Sequence, residues 1–271
     1  MRTETITSAQ NPKIKALLEL QEKSKARRKE GLFVVEGRRE LLHCMEAGYL
    51  PYSIFFCPEI IGSDDFTSIC KVADEHDARC SFFEIPQRLY DKVAYRGGTE
   101  GVIAQMHCRN RSLKSLDLKK NPLVVILESV EKPGNLGAVL RSADASGVDA
   151  VIVCDPLTDM YNPNLIRSSI GAIFTVPVAT ASSEETIKWL KDNNIRIYTA
   201  QLQDSEWYYD TDMTGGTAIV MGTEATGLTD VWRKAADAHI KIPMLGKLDS
   251  LNVSVSAAIL MYEAVRQRNI L

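Results

Sequence analysis

The sequence predicts an α/β protein: a C-terminal part on a mostly parallel sheet, preceded by a smaller α/β unit. Three observations carry this. From residue 123 onward, apolar runs such as "LVVILES", "DAVIVCD" and "TAIVMG" alternate with helical stretches, as strands buried on both faces do. A shorter alternation runs from 32 to 107. Between them "CRNRSLKSLDLKKNP" is polar, basic and poorly periodic, which reads as a linker. The expected domains are therefore 1–108, a linker at 109–122, and 123–271.

The elements follow in order. Ile14, Leu17, Leu18 and Leu20 form a short helical stripe. "LFVVEG" (32–37) reads as a strand and "RRELLHCMEAG" as a helix capped at Gly48. "YSIFFCP", "CSFFEI" and "GVIAQMH" are strands, with a short helix around "PQRLYDKVA". In the second part "LVVILES" is a strand, 136–147 a helix and "DAVIVCD" a strand. "NPNLIRSSIG" is a helix, "AIFTVPVA" a strand, "SEETIKWLKDNN" a helix and "IRIYTAQ" a strand. "TAIVMG", helical "LTDVWRKAAD", "HIKIPM" and a final helix over 251–268 complete the pattern.

Composition excludes several classes. Of 271 residues, 45% are hydrophobic and 25% charged, with net charge −3, as in ordinary globular proteins. No run approaches the ~20 apolar residues of a membrane span, and "MRTETITSAQNPK" has no secretory core. Cys44, Cys57, Cys70, Cys80, Cys108 and Cys154 form no C-x-x-C pair, and His43, His76, His107 and His239 make no metal-ligand spacing. The expectation is a cytoplasmic protein with reduced thiols, no metal and no membrane partner. Charge is uneven, because "KSKARRKE" (23–30) concentrates Lys23, Lys25, Arg27, Arg28 and Lys29, with Arg38 beyond it. The run reads either as a solvated helix face or as a phosphate-contacting surface.

"EKPGNLGAVLRSADASG" (131–147) follows the first strand of the second part. A dinucleotide loop would need G-x-G-x-x-G, and Gly134 and Gly137 supply neither that spacing nor a third glycine. The loop instead offers Asn135 at a helix start, where it caps or reaches outward, and Arg141 one turn beyond Gly137. Such a cluster is either a capped helix with a surface Arg or a phosphate and ribose site. "IVMGTEATGL" (219–228) sets Glu224 between Gly222 and Gly227. "IPMLGKLDSLNVSVSAAILMYEAV" (242–265) puts Ser250, Asn252, Ser254 and Ser256 at the start of an apolar helix, more polar groups than capping requires.

These three stretches, in this order, resemble the three motifs of the SpoU/TrmH branch of the SPOUT methyltransferases. Residues 1–108 look like the small ribosomal-protein-like substrate-binding domain that often precedes that catalytic domain. The resemblance implies a deep trefoil α/β knot, a homodimer, and S-adenosylmethionine-dependent methylation of a ribose 2′-hydroxyl in RNA. It assigns a catalytic role to Asn135, Arg141, Glu224, Ser250 and Asn252. It places the cofactor, held largely by backbone, against the loop after "TAQ" (199–201), Met221, Gly222, Ile242, Pro243, Met244, Leu251 and Asn252. A bulky side chain at Gly222 is then expected to enter the pocket. Lys132 stands where the family often has an acidic residue.

The implied reaction is an in-line displacement in which positioning matters most. Arg141 stays protonated, so it suits a phosphate clamp and alkoxide stabiliser better than a base. The proton then goes to Glu224, to water or to the phosphate. Ribosomal RNA is preferred over tRNA, because a separate N-terminal domain with a basic run (Lys23, Lys25, Arg27, Arg28, Lys29, Arg38) suits a large folded target. The alternatives are a tRNA 2′-O-methyltransferase and an inactive RNA-binding knot protein.

Overall fold

The structure is a computed structural model that describes residues 3–75, 80–95, 100–223 and 226–269. The chain forms two compact units. One runs to Arg109 and includes Asp159–Thr175; the other is Asn110–Thr158 with the chain from Val176 onward.

The first unit contains β1 (Thr3–Thr5), α1 (Pro12–Glu22), α2 (Ser24–Glu30), β2 (Leu32–Glu36), α3 (Arg38–Glu46), β3 (Pro51–Phe56), α4 (Ser63–Glu75), β4 (Ser81–Glu84), α5 (Gln87–Val93) and β5 (Val102–His107). Its strands lie in the order β1-β4-β3-β5-β2, with β5 antiparallel to both neighbours and the other pairs parallel. Asn11 starts α1 by accepting the Lys13 N–H at 2.9 Å, with Pro12 in the first turn. Ile14, Leu17 and Leu20 then face a core with Phe55, Ile85 and Ile103. The polar stretch 63–75, which has no strong sequence signal, becomes α4 by burying Ile69 and Ala73.

The basic run does not behave as one surface. Helix α1 ends at Glu22, Lys23 is extended, and α2 begins at Ser24. Lys25, Arg28 and Lys29 are exposed. Arg27 is only 3% exposed, and its guanidinium donates to Asp159 Oδ2 at 2.6 Å and to the carbonyls of Leu20 and Gln21 at 2.6 and 3.0 Å. Arg27 therefore departs from the RNA-binding expectation, because its donors are spent inside the first unit. Lys23 pairs with Glu19 at 3.2 Å and Arg38 with Asp65 at 2.8 Å.

The second unit contains β6 (Leu123–Glu128), α6 (Pro133–Ser146) and β7 (Ala150–Cys154). Next come α7 (Pro163–Ser168) and α8 (Ala172–Thr175), which belong to the first unit. The second unit resumes with β8 (Val178–Ala181), α9 (Ser183–Asp192), β9 (Arg196–Ala200), β10 (Glu206–Trp207), β11 (Thr217–Met221), α10 (Asp230–Ala235), β12 (Ala238–Lys241) and α11 (Val253–Asn269). All six pairings in the order β10-β12-β9-β11-β6-β7-β8 are parallel. The buried runs of β6, β7 and β11 match a sheet covered on both faces. After β12 the chain returns as α11, which packs along α6 and touches β6 and β11.

Two sequence readings change. "AIFTVPVA" is not one strand: Ala172–Thr175 is helical, and Phe174 joins Phe33 (5.9 Å) and Tyr49 (5.4 Å) in an aromatic cluster of the first unit. The strand begins only after Pro177, at Val178. The stretch 110–122 is more than a tether, since Leu113, Leu116 and Leu118 pack on the second core and the Thr180 N–H donates to the Arg111 carbonyl at 2.7 Å.

Helix α11 is fixed at its end by Arg268. Its guanidinium donates to the carbonyls of Met213 (2.9 Å), Asn121 (3.0 Å), Pro122 (3.3 Å) and Gly215 (2.6 Å). These carbonyls precede β6 and β11, so one side chain ties the last helix to the start of the two central strands.

Arg27→Ala should lower stability by about 3–5 kcal/mol, because it leaves a partly buried Asp159 carboxylate unpaired. Arg28→Ala, on the exposed side of the same helix, should change it by less than about 0.5 kcal/mol. Urea midpoints of the two variants check the contrast.

Candidate active site

The carboxyl ends of β12, β9 and β11, adjacent in the sheet, open into a cavity of about 680 Å³. Parallel α/β sheets bind ligands at this edge, where the strand order changes direction. Four segments form the walls: Ala200–Gln203 after β9, the turn after β11, Ile240–Met244 around the end of β12, and 249–253 leading into α11. Met221, Gly222, Ile242, Met244, Leu251 and Asn252 line it, as does Ser250. Pro243 lies between two lining residues but is not on the wall.

The turn after β11 is set by backbone contact. A Cβ on Gly222 would lie 2.3 Å from the Gly227 carbonyl carbon, 2.4 Å from its oxygen and 2.5 Å from the Leu228 nitrogen. Thr223 and Gly227 exchange backbone hydrogen bonds of 3.3 and 3.0 Å, and Thr226 N–H donates to Thr223 Oγ1 at 3.0 Å. Gly227 has φ +67°, a left-handed conformation glycine adopts readily. A side chain at Gly222 would thus strike the turn's own backbone rather than point into the cavity, which corrects the expected reason for this glycine. Glu224, assigned to catalysis by its motif, lies outside the described residues.

Behind the turn stands Glu128, the last residue of β6 and 3% exposed. Its carboxylate accepts the Thr229 N–H at 2.9 Å and the Thr229 hydroxyl at 2.6 Å. Thr229 precedes α10, so Glu128 serves as a cap supplied by a distant strand. Ser183 accepts from Trp232 Nε1 at 2.9 Å and donates to Asp155 at 2.6 Å in the same polar knot. Beside it, burial away from water pushes the Cys154 thiol up to about 12, so it stays protonated at neutral pH. The sequence signal for Glu128 was a carboxylate closing an otherwise apolar strand.

Asn252 joins the first and third motifs. Its Nδ2 donates to Asn135 Oδ1 at 3.2 Å. Its Oδ1 accepts the Ser254 N–H at 3.0 Å and the Ser254 hydroxyl at 2.6 Å, which caps α11. The capping and functional readings of Asn252 therefore coexist in one side chain. Asn135 is not a cap; it sits in the first turn of α6 after Lys132. Ser250 is exposed and donates to Asp249 at 3.2 Å. Arg141 is exposed on α6, beyond Asn135.

A parallel sheet with a cavity at this edge, walled by the second and third motifs, agrees with the resemblance to a SpoU-type methyltransferase domain. The chain belongs to the SpoU rRNA Methylase family, whose profile matches residues 122–262. Residues 11–104 match the MRM3-like substrate binding domain. The chain is similar to the 23S rRNA (guanosine(2553)-2′-O)-methyltransferase RlmP of Bacillus subtilis, at 28% identity over 95% of this chain and 97% of that one. It is 34% identical to the 23S rRNA (guanosine-2′-O-)-methyltransferase RlmB of Pectobacterium atrosepticum, over 76% of this chain and 87% of that one. The crystal structure of an RNA 2′-O ribose methyltransferase matches with TM-score 0.83 and 35% identity, over 99% of this chain and 100% of that one. The SpoU methyltransferase AviRb of Streptomyces viridochromogenes, in complex with AdoMet, matches with TM-score 0.86 and 26% identity, over 96% and 98%.

Gly222→Ala should destabilise the protein by about 1–3 kcal/mol, because the added methyl must displace backbone. Gly134→Ala is the control, since a Cβ there meets nothing within 4 Å. Chemical denaturation of both variants checks this, and equal midpoints would remove the close-approach argument.

Proposed function

We propose that this protein transfers a methyl group from S-adenosylmethionine to a ribose 2′-hydroxyl of structured ribosomal RNA. The observation that carries the reading is the Asn252–Asn135 bond at the rim of the cavity, which brings the first motif to the third. The relatives named for 23S rRNA favour ribosomal RNA over tRNA.

The cavity suits the cofactor. Its size falls within the roughly 300–1,000 Å³ usual for small-molecule pockets. Its walls combine apolar Met221, Ile242 and Leu251 with polar atoms that have no hydrogen-bond partner among the described residues. When bound, the cofactor supplies a methyl group on a sulfonium. The remaining work belongs to this chain. Asn252 and Asn135 hold each other, and with them the starts of α11 and α6, at the mouth. The Arg141 guanidinium clamps the RNA phosphate and the developing alkoxide. Three acceptors for the hydroxyl proton are available: Glu224, water and the phosphate.

The first unit takes the role of RNA-binding domain, with Lys23, Lys25, Arg28, Lys29 and Arg38 but not Arg27 on its surface. Domain limits of 1–108 and 123–271, joined through 109–122, belong to this reading. So does the trefoil knot, supported by β9 lying between β12 and β11 and by the return of α11 onto α6. A homodimer is supported by the exposed Val255 and Tyr262 along α11, with exposed Leu251 just ahead of it. Among the described residues no helix is long and apolar enough to cross a membrane; a cytoplasmic location is part of the proposed reading.

Mapping 2′-O-methylation in RNA from cells with and without the protein tests the function: one ribosomal ribose should lose its methyl group. A change confined to tRNA, or none, would reject the reading. Arg141→Ala should reduce methylation by about 10²–10³-fold, and Arg141→Lys should keep most of the defect, since Lys lacks the planar fork. Normal turnover by Arg141→Ala would return the residue to a surface Arg.

Replacing Lys25, Arg28 and Lys29 by Ala should flatten the slope of log affinity for RNA against log salt by about 2–3. Cofactor affinity should not move. An unchanged slope would return the run to a solvated helix face.

A further inference from the structure

Two polar atoms at the cavity have no hydrogen-bond partner among the described residues. They are Arg233 Nε and Gln201 Oε1; both are buried, and both residues line the cavity. The Gln201 amide is fixed by its other end, because Nε2 donates to the Gln203 carbonyl at 2.9 Å. That bond leaves the oxygen as the waiting acceptor. Arg233 sits in α10, held by its N–H to the Thr229 carbonyl at 3.3 Å. Its Nη2 would lie 4.0 Å from a Cβ on Gly227, so the guanidinium faces the turn that walls the cavity.

Charge narrows what Arg233 awaits. Among the described lining residues the other cation is Lys241, whose ammonium sits 4.8 Å over the Trp207 ring. A guanidinium in a pocket with an unfilled donor calls for an anion, and its fork matches a carboxylate with two parallel hydrogen bonds. Adenine and ribose are neutral, and the sulfonium and ammonium of S-adenosylmethionine are cations. The α-carboxylate is the single anionic group of that molecule.

We infer that Arg233 binds the α-carboxylate of the amino-acid tail of S-adenosylmethionine through Nε and one Nη. Gln201 Oε1 accepts from an N–H of the same ligand. The inference rests on the methyltransferase reading of the cavity and goes beyond it, since Arg233 lies outside the three motifs and adds a charged side-chain contact to the pocket. The contact would let the enzyme distinguish cofactor and its demethylated product from adenosine thioethers that lack the tail.

Calorimetry on the full-length protein with three probes tests it: S-adenosylmethionine, S-adenosylhomocysteine and 5′-methylthioadenosine. Arg233→Met should weaken the first two by about 10- to 100-fold and leave the third within about 2-fold. Arg233→Lys, which keeps the charge and preserves the helix if Met does not, should recover part of the loss for the two tailed ligands only. Equal losses for all three ligands, or no loss for any, would overturn the assignment. So would a variant whose cofactor affinity holds while its RNA affinity falls, which would give Arg233 to a substrate phosphate. If the unaltered protein binds none of the three, it is the cofactor reading that fails, and the two failures are distinct.

Discussion

No side chain fits at Gly222, and the geometry of the cavity depends on that. The backbone of Gly227 and Leu228 lies where a Cβ would go, within 2.3–2.5 Å. The chain can therefore leave β11, turn through Thr223–Gly227 and start α10 while staying against the strand end. A turn one atom wider would move Thr229 away from Glu128, and Glu128 would lose both bonds that fix α10. A buried carboxylate without donors is strongly unfavourable. Close approach and polar cap thus reinforce each other: one sets the position of the turn, and the other makes departure from it costly.

The opposite wall is held by α11 from both ends. Asn252 satisfies the helix start and reaches Asn135 on α6, while Arg268 satisfies four carbonyls ahead of β6 and β11. Burial lowers the pKa of Arg268, but a guanidinium keeps its proton at any ordinary pH. A helix clamped in this way can carry Asn252 at a cavity mouth with little freedom, and such fixity is what positioning a hydroxyl for in-line attack requires.

The alternating apolar runs made β6, β7, β9 and β11 legible, because a strand buried on both faces has little choice of composition. The second and third motifs mark residues that line the cavity, and of these Gly222 is dictated by the close approach of backbone. Contacts between distant segments were not legible. Arg27 and Arg28 are neighbours in one basic run, yet one is buried against Asp159 and the other is exposed. Composition cannot see which side of α2 faces inward. "AIFTVPVA" has strand propensity throughout, but Phe174 finds an aromatic cluster and the first half turns helical. Glu128, Gln201 and Arg233 carry no motif and gain meaning only from what surrounds them.

The structure also divides the motif residues by what their presence implies. Gly222 and Asn252 are required by the fold, the first by close packing and the second as the cap of α11. An inactive knot protein would need both. Their presence therefore says little about catalysis. Arg141 is different. It is exposed on α6, and no side-chain hydrogen bond or ion pair to another described residue is found for it. An exposed Arg contributes little to stability. The fold would survive without it, so its presence, unlike that of Gly222 or Asn252, is not explained by stability.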